Sequence, residues 1–456
     1  MMKISEAVLA LGGKIEGEDA EFFAVSTDTR KIGSGDLFVA LKGGHFDGAD
    51  FAVQALKSGA AAVMVNEGSW TDSMSPALLV QDTRLALGNL SAYWRKQFEI
   101  PLVAITGSNG KTTVKEMTAA ILRAAAGSID AVLATKGNLN NDIGMPLTLL
   151  QLNKQHRYAV IEMGMNHFGE ISYLTRIAKP QIALINNASG AHLEGLGSVE
   201  GVARAKGEIF EGLQDSGIAI INADDEHAPL WRSLASSNSR LEFGLNEKSD
   251  IKGSWQPHES GLRLEVRTPK GEIEVLMQVP GEHNARNALA AISIAIALDI
   301  PLKSIASGLE HFSGVAGRMQ RKKGRNGASL IDDTYNANPA SMRAAIKVLA
   351  KSAGRRVMVL GDMGELGSDA ESMHAEIGQF AKESGIERLY ALGEMSRIAA
   401  REFGENARHF ERIEDLQNEL EGELQEGTTL LFKGSRFMKM ERAVEFCLGG
   451  KEDKCS

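Results

Sequence analysis

Residues Leu102–Thr106, "LVAIT", are a short apolar run that breaks into "GSNGKTT" and then into helical periodicity. Few folds tolerate that order. A strand, a glycine-flanked loop, a lysine with two threonines and a helix together predict a phosphate loop at the edge of a parallel sheet. Gly107 and Gly110 let the backbone N–H groups of Ser108 and Asn109 crowd an anion, and the helix N-terminus adds partial positive charge. Lys111 supplies a point charge, and Thr112, followed by Thr113, offers a hydroxyl to a magnesium ion. The strict phosphate-loop motif wants a glycine where this chain has Ile105, so the pattern is a shorter relative of it.

At 456 residues the chain exceeds one ordinary core, which predicts two or three domains. Strand-like and helix-like runs alternate throughout, predicting α/β architecture with a doubly wound, mostly parallel central sheet. Boundaries are expected near Pro101 and near "SGVAGRMQRKKGRNG", giving segments 1–100, 101–315 and 316–456. In the middle segment the candidate strands are Leu102–Thr106, Tyr158–Met163, Ile182–Asn186 and Ile218–Asn222. The alternating stretch from Leu241 to Val279 reads as an antiparallel appendage, and an amphipathic helix is expected over Thr83–Phe98. The basic stretch at the second boundary reads as a solvated linker. A small α/β unit precedes the middle segment, and a further α/β, Rossmann-like unit follows it.

A net charge of −9 with 5% aromatics argues against nucleic-acid binding. No run approaches a membrane span, and the two cysteines, Cys447 and Cys455, suit a reducing, cytoplasmic setting better than a disulfide scaffold.

Magnesium needs oxygen ligands beyond one hydroxyl, and a doubly wound sheet supplies them at the carboxyl ends of its strands. Glu162 ends "YAVIEMG", and His192 follows "IALINN", as a ligand or as a structural hydrogen-bonder. Lys206 falls inside the apolar stripe of "SVEGVARAKGEIFEGL". Either its stem packs while the ammonium snorkels to water, or it is a desolvated amine of lowered pKa. A neutral amine can add carbon dioxide to form a carbamate, a carboxylate-like ligand on a long arm.

Taken in order, these residues resemble the Mur ligase family, amide-forming enzymes of bacterial cell-wall synthesis. The resemblance spans essentially the whole chain and implies three domains. It implies ATP and two magnesium ions held by Thr112, Glu162, His192 and carbamylated Lys206, with Lys111, Lys206, His192 and Glu162 as the catalytic set. It further implies nucleotide contacts from Gly107–Thr113, from Asn284 and Asn287 in "GEHNARNALAA", and from Arg318 and Asp333 beyond the second boundary. "VSTDTRKIGSGDLFVALKGGHFDGADF" looks like a uridine-nucleotide-recognising first domain, making Ser26, Thr27, Asp28, Arg30 and Lys42 substrate candidates, with surface charge the other reading of Lys42.

"GNLNNDIGMPLTLL", "DDTYNANPASM" and "VLGDMGELG" look like the family members that add D-alanyl-D-alanine to UDP-N-acetylmuramoyl-tripeptide through an acyl phosphate. That match makes Asn138, Asn140 and Asn141 candidates for the tripeptide, although an asparagine run can equally be turn chemistry. Tyr335, Asn336 and Asn338 become candidates for the dipeptide or nucleotide end. Thr29 and Leu196 depart from the usual serine and aromatic. The alternatives are a third-residue-adding ligase of the family, a folylpolyglutamate synthase-like ligase, or a nucleotide-binding module without ligase activity. A monomer with a hinge at Ser313–Gly317 is expected.

Overall fold

Parallel strands buried on both faces must be apolar throughout, and "LVAIT", "YAVIE" and "IALI" meet that demand. They lie at the heart of a nine-stranded sheet in the computed structural model, which describes residues 1–44, 46–190 and 193–449. From one edge the order is Val132–Ala134, Tyr158–Glu162, Leu102–Thr106, Ile182–Ile185, Ile218–Asn222 and Ser239–Gly244. Ile251–His258, Gly261–Thr268 and Gly271–Met277 complete it. Pairing is parallel up to Ile251–His258, and the last two pairings are antiparallel.

From Leu102–Thr106 the chain goes to the edge strand Val132–Ala134, returns inward to Tyr158–Glu162, and then crosses to the other side. That strand is therefore the topological switch point, where a crevice opens beyond the strand ends. Register aligns Glu162 with Ile105, and Ile185 with Thr106, so three loops leave the sheet side by side. Separate apolar layers cover the two faces.

A five-stranded sheet precedes this body, ordered Lys14–Glu16, Ala77–Val80, Ala62–Asn66, Asp36–Val39 and Ala24–Ser26. A six-stranded sheet follows it, with Ser329–Asp333 and Thr428–Lys433 adjacent and parallel.

Three expectations need correction. The antiparallel character expected from Leu241 begins later: Ser239–Gly244 continues the parallel sheet. Only the pairings of Gly261–Thr268 with Ile251–His258 and Gly271–Met277 are antiparallel, on the same hydrogen-bonded surface. The basic "linker" contains an edge strand, Gln320–Lys323, antiparallel to Ser329–Asp333, and Lys322 donates to Asp332 at 2.6 Å. An edge strand tolerates exposed lysines because one side faces water. The first long helix spans Thr83–Arg95 rather than reaching Phe98, because Arg95 turns back to donate to the carbonyls of Phe98 and Ile100.

The phosphate-loop helix, Lys111–Ala126, is held from behind by helix Leu302–Glu310 at near backbone contact. A Cβ on Gly308 would stand 2.5 Å from Ile121 Cα and 2.7 Å from its N, atoms that cannot yield as a side chain can. Gly308→Ala is expected to cost about 1–3 kcal/mol by overpacking. Urea unfolding followed by a probe on the central body checks this, and an unchanged midpoint would contradict the close approach.

Candidate functional site

The loop after Leu102–Thr106 is fixed by amides from the loop after Ile182–Ile185. Ser108 N donates to Asn187 O at 3.0 Å, and Asn109 N to Asn187 Oδ1 at 2.9 Å. Asn186 and Asn187 each donate a side-chain N–H to Asn109 O at 3.0 Å. Asn186 also donates to Asn287 Oδ1 at 2.9 Å, tying in helix Glu282–Ala297. Gly110, at φ +80, could carry no side chain: a Cβ would fall 2.3 Å from Asn287 Oδ1. Helix Lys111–Ala126 starts at that residue, aiming its N-terminus into the crevice.

Thr112 and Glu162 meet as expected. Thr112 Oγ1 donates to Glu162 Oε2 at 2.8 Å, Asn140 Nδ2 donates to Glu162 Oε1 at 2.8 Å, and Glu162 N donates to Thr135 Oγ1 at 2.9 Å. Arg318, from beyond the second boundary, donates to Thr112 Oγ1 at 2.9 Å. The hydroxyl and the carboxylate are thus a hard-oxygen pair already facing a cation, the donor chemistry that magnesium requires. Among the described residues, no cluster of three or more histidine, cysteine or acidic side chains adds to them. His192 lies outside the described residues.

Lys111 folds over its own loop, with Nζ 2.6 Å from Gly107 O. Desolvation and the Arg318 charge lower its pKa, while Glu162 works against them. Lys206, on helix Val199–Gly207, is 1% exposed, and its Nζ lies 3.8 Å from Met165 Sδ. It does not snorkel. Burial, and then the Lys111 charge, push it well below the ordinary lysine value.

The third body closes the far wall. Asn338 Nδ2 donates to Asn109 Oδ1 at 2.9 Å, and Asn338 also caps helix Pro339–Leu349, so turn chemistry and site contact coexist. The Arg318 guanidinium lies 4.1 Å from the Tyr335 ring centre, and Lys433 donates to Asp333 at 2.5 Å and to Asn336 O at 2.9 Å. The crevice has a volume of about 740 Å3. Its walls include Ser108–Lys111, Thr113, Asn138, Asn140, Asn141, Glu162, Asn284, Asn287, Arg318, Asp333, Tyr335, Asn336 and Asn338. Asn141 leans toward the turn reading, since its Oδ1 accepts from Gly144 N at 2.8 Å.

Ser26, Thr27, Asp28, Arg30 and Lys42 are not on those walls; they lie on the first sheet's own surface. Asp28 holds Arg30 in a two-point pair at 2.9 Å, and Lys42 faces Asp47 at 3.8 Å. Sequence reasoning missed Arg84, Asp142, Arg286, His283 and Lys433, all of which line the cavity. His283 Nε2 is buried without a partner beside Asn284, leaving polar capacity for a ligand on the wall where the nucleotide is expected. Lys115, likewise missed, is buried in the phosphate-loop helix and donates to Thr135 O at 2.5 Å. It thereby braces the residue that holds the Glu162 backbone.

Comparison with known proteins follows this geometry. Residues 21–95, 105–295 and 317–436 match the models described as Mur ligase family, catalytic domain; Mur ligase middle domain; and Mur ligase, glutamate ligase domain. The chain is 44% identical to UDP-N-acetylmuramoyl-tripeptide–D-alanyl-D-alanine ligase of Escherichia coli, covering 97% of both chains. It superposes on MurF of Acinetobacter baumannii with a TM-score of 0.91 at 36% identity, covering 98% of this chain and 99% of that one. MurF of Thermotoga maritima, solved in complex with ADP, gives 0.83 at 27% identity over 93% and 97%.

A lysine whose folded pKa is lowered binds its proton less readily folded than unfolded. The fold is then penalised below the ordinary value of 10.5, and the penalty fades as pH rises toward it. Lys206→Met is therefore expected to raise stability at neutral pH and to flatten the rise on alkaline titration. Urea midpoints of the ligand-free protein at the two pH values test this; a less stable variant with the same slope would contradict it.

Proposed function

The chain belongs to the Mur ligase family, and on that premise we propose that it joins D-alanyl-D-alanine to UDP-N-acetylmuramoyl-tripeptide at the expense of ATP. The observation that carries the reading is the convergence of Lys111, Thr112, Glu162 and Arg318 at the mouth of one crevice. Buried Lys206 stands behind them.

The chemistry follows from charge. A carboxylate does not acylate an amine because its oxide leaves badly. Transfer of the γ-phosphoryl group onto it yields ADP and an acyl phosphate. The dipeptide amine then attacks the carbonyl carbon, phosphate departs, and the amine proton goes to solvent. Bringing a carboxylate to a triphosphate sets anion against anion, so positioning and neutralisation supply most of the catalysis. Ser108 and Asn109 N–H, expected to face the anion, are instead committed to Asn187. The N–H groups of the first turn of helix Lys111–Ala126, together with Lys111, are therefore the ones proposed to cradle the phosphates. Arg318 brings a further cation from the third body, and the asparagines hold the loops in register.

Thr112 and Glu162 are the residues fitted to hold one magnesium ion; Lys206 as a carbamate, with His192, is proposed for a second. Such ions supply neutralisation of charge on the transferring group. Carbamylation suits Lys206: burial and the Lys111 charge disfavour its protonated form, and a carbamate would set a negative charge beside Lys111. Asn284 and Asn287 are proposed for the adenine side, with Asp333 and Asn338 completing the nucleotide wall. Asn138 and Asn140 are proposed for the tripeptide, Tyr335 and Asn336 for the dipeptide end, and Ser26, Thr27, Asp28, Arg30 and Lys42 for the uridine nucleotide. The monomer and the cytoplasmic setting expected from the sequence are part of this proposal, and ATP and nucleotide-linked substrates suit that setting. Among the described residues, no helix is long and apolar enough to cross a membrane.

Phosphate release with ATP, tripeptide and dipeptide together, and none when either peptide is withheld, is the expected result. ATP binding without phosphate release would favour a binding module. Lys206→Ala is expected to reduce turnover by about 10²–10³-fold, with partial rescue by acetate or formate. Unchanged turnover would remove Lys206 from the site.

A further inference from the structure

One ion pair on the cavity wall has no part in the chemistry above. Arg84 begins helix Thr83–Arg95, where the Asp82 side chain caps the helix through Arg84 N and Leu85 N at 2.8 and 3.0 Å. Asp142 lies 58 positions away, two residues beyond Asn140. Arg84 meets it two-pronged, Nη2 donating to Oδ1 at 2.8 Å and Nε donating to Oδ2. The Arg84 side chain is 56% exposed and that of Asp142 27%, so the pair sits at the solvent-facing rim of the cavity. Its backbones are fixed by the packing of helix Thr83–Arg95 on Gly144–Leu149, with Trp94 Nε1 donating to Leu152 O at 3.0 Å. Arg84 and Asp142 face the same cavity as Glu162, Asn140 and Lys111.

The pairing leaves capacity on both partners. A guanidinium has five N–H donors, of which two are used here, and the Asp142 carboxylate keeps lone pairs. The neighbouring acids are committed elsewhere: Asp82 to its helix cap, and Glu170 Oε2 to Asn166 N at 2.7 Å. The wall thus offers one set of fixed donors beside one set of acceptors. That pattern complements an ammonium and a carboxylate carried on a single carbon.

The position says which part of the substrate arrives there. This step rests on the proposed ligase reading, in which the reacting carboxylate belongs to the third residue of the tripeptide. With that carboxylate held beside Lys111 and Glu162, the third residue's own side chain is the nearest remaining part of the substrate. The wall that continues from Glu162 through Asn140 is Asp142 and Arg84.

We propose that Arg84 and Asp142 form the pocket for the third residue's side chain and select one ending in an α-amino-acid zwitterion, the diaminopimelate class, over one ending in a bare ammonium, the lysine class. A lysine-type end satisfies Asp142 but sets its ammonium against Arg84. The zwitterion gives each partner its complement.

The test is steady-state phosphate release with two UDP-N-acetylmuramoyl-tripeptides that differ only in a diaminopimelate or lysine third residue. The intact enzyme is expected to favour the diaminopimelate peptide by at least about tenfold in kcat/KM. Arg84→Ala should collapse that ratio toward unity, chiefly through KM for the diaminopimelate peptide. Arg84→Lys, which keeps the charge but loses the fork, should fall between. Asp142→Asn should weaken both peptides, since both carry the ammonium. Calorimetric binding of ADP to each variant checks that the phosphate loop remains folded. Equal kcat/KM for both peptides with the intact enzyme, or an Arg84→Ala variant that loses activity on both with the ratio preserved, overturns the inference alone. No phosphate from either peptide overturns the ligase reading and the inference with it.

Discussion

Positive charge gathered in a poorly solvated crevice is the constraint on which the rest of this structure depends. Lys206 is buried, Lys111 lies over its own loop, and Arg318 reaches in from another body, with Glu162 as the carboxylate among them. Like charges at such range repel, and both lysines are driven toward their neutral forms. A fold accepts that cost where something else returns it, and the nucleotide phosphate of the proposed function would do so. The parallel sheet makes the arrangement possible. Its switch point separates the loops, and its register sets Glu162 level with Ile105 and Ile185 level with Thr106.

Holding three loops around that charge without altering it calls for neutral groups that both donate and accept. Asparagine does both. Asn109, Asn186, Asn187, Asn287 and Asn338 form one continuous set of amide contacts, and Asn140 adds the contact that orients Glu162. Aspartates at these positions would cancel the field meant for phosphate, and lysines would raise the repulsion. The asparagine-rich composition of the loops is therefore an electrostatic choice as much as a turn preference.

Much of this was legible before the structure because it follows from local pattern. The central strands are apolar runs, the phosphate loop is contiguous, and Lys206 interrupts a helical stripe that buries it. What escaped detection depends on partners remote in sequence. The edge strands Val132–Ala134 and Ala407–Phe410 are short and take their identity from a neighbouring strand. Lys433 matters only because Asp333, 100 positions earlier, lies on the adjacent strand. Arg84 and Asp142 look like ordinary surface charges until two helices bring them together. The first-sheet residues Ser26 to Lys42 were singled out by resemblance, and their geometry shows only local pairing. His192 lies outside the described residues.

Contacts between the second and third bodies reach neutral partners on the phosphate-loop side. Arg318 donates to Thr112, a neutral hydroxyl, and Asn338 touches Asn109, a neutral amide. Both are modest bonds, exchangeable at little cost. A phosphate at the loop offers Arg318 a charged, two-pronged partner in place of the hydroxyl, and charge-assisted pairs of that kind are about twice as strong. Under the proposed function, exchange of one partner for the other would link the position of the third body to phosphate occupancy. The segment just before Arg318 can absorb such motion: Gly314 and Gly317 hold φ of +100 and +69, and Tyr335 N donates to Gly317 O at 3.1 Å. Arg318, which bridges the two bodies through Thr112, is thus the first residue past two glycines of positive φ, at the hinge expected from the sequence.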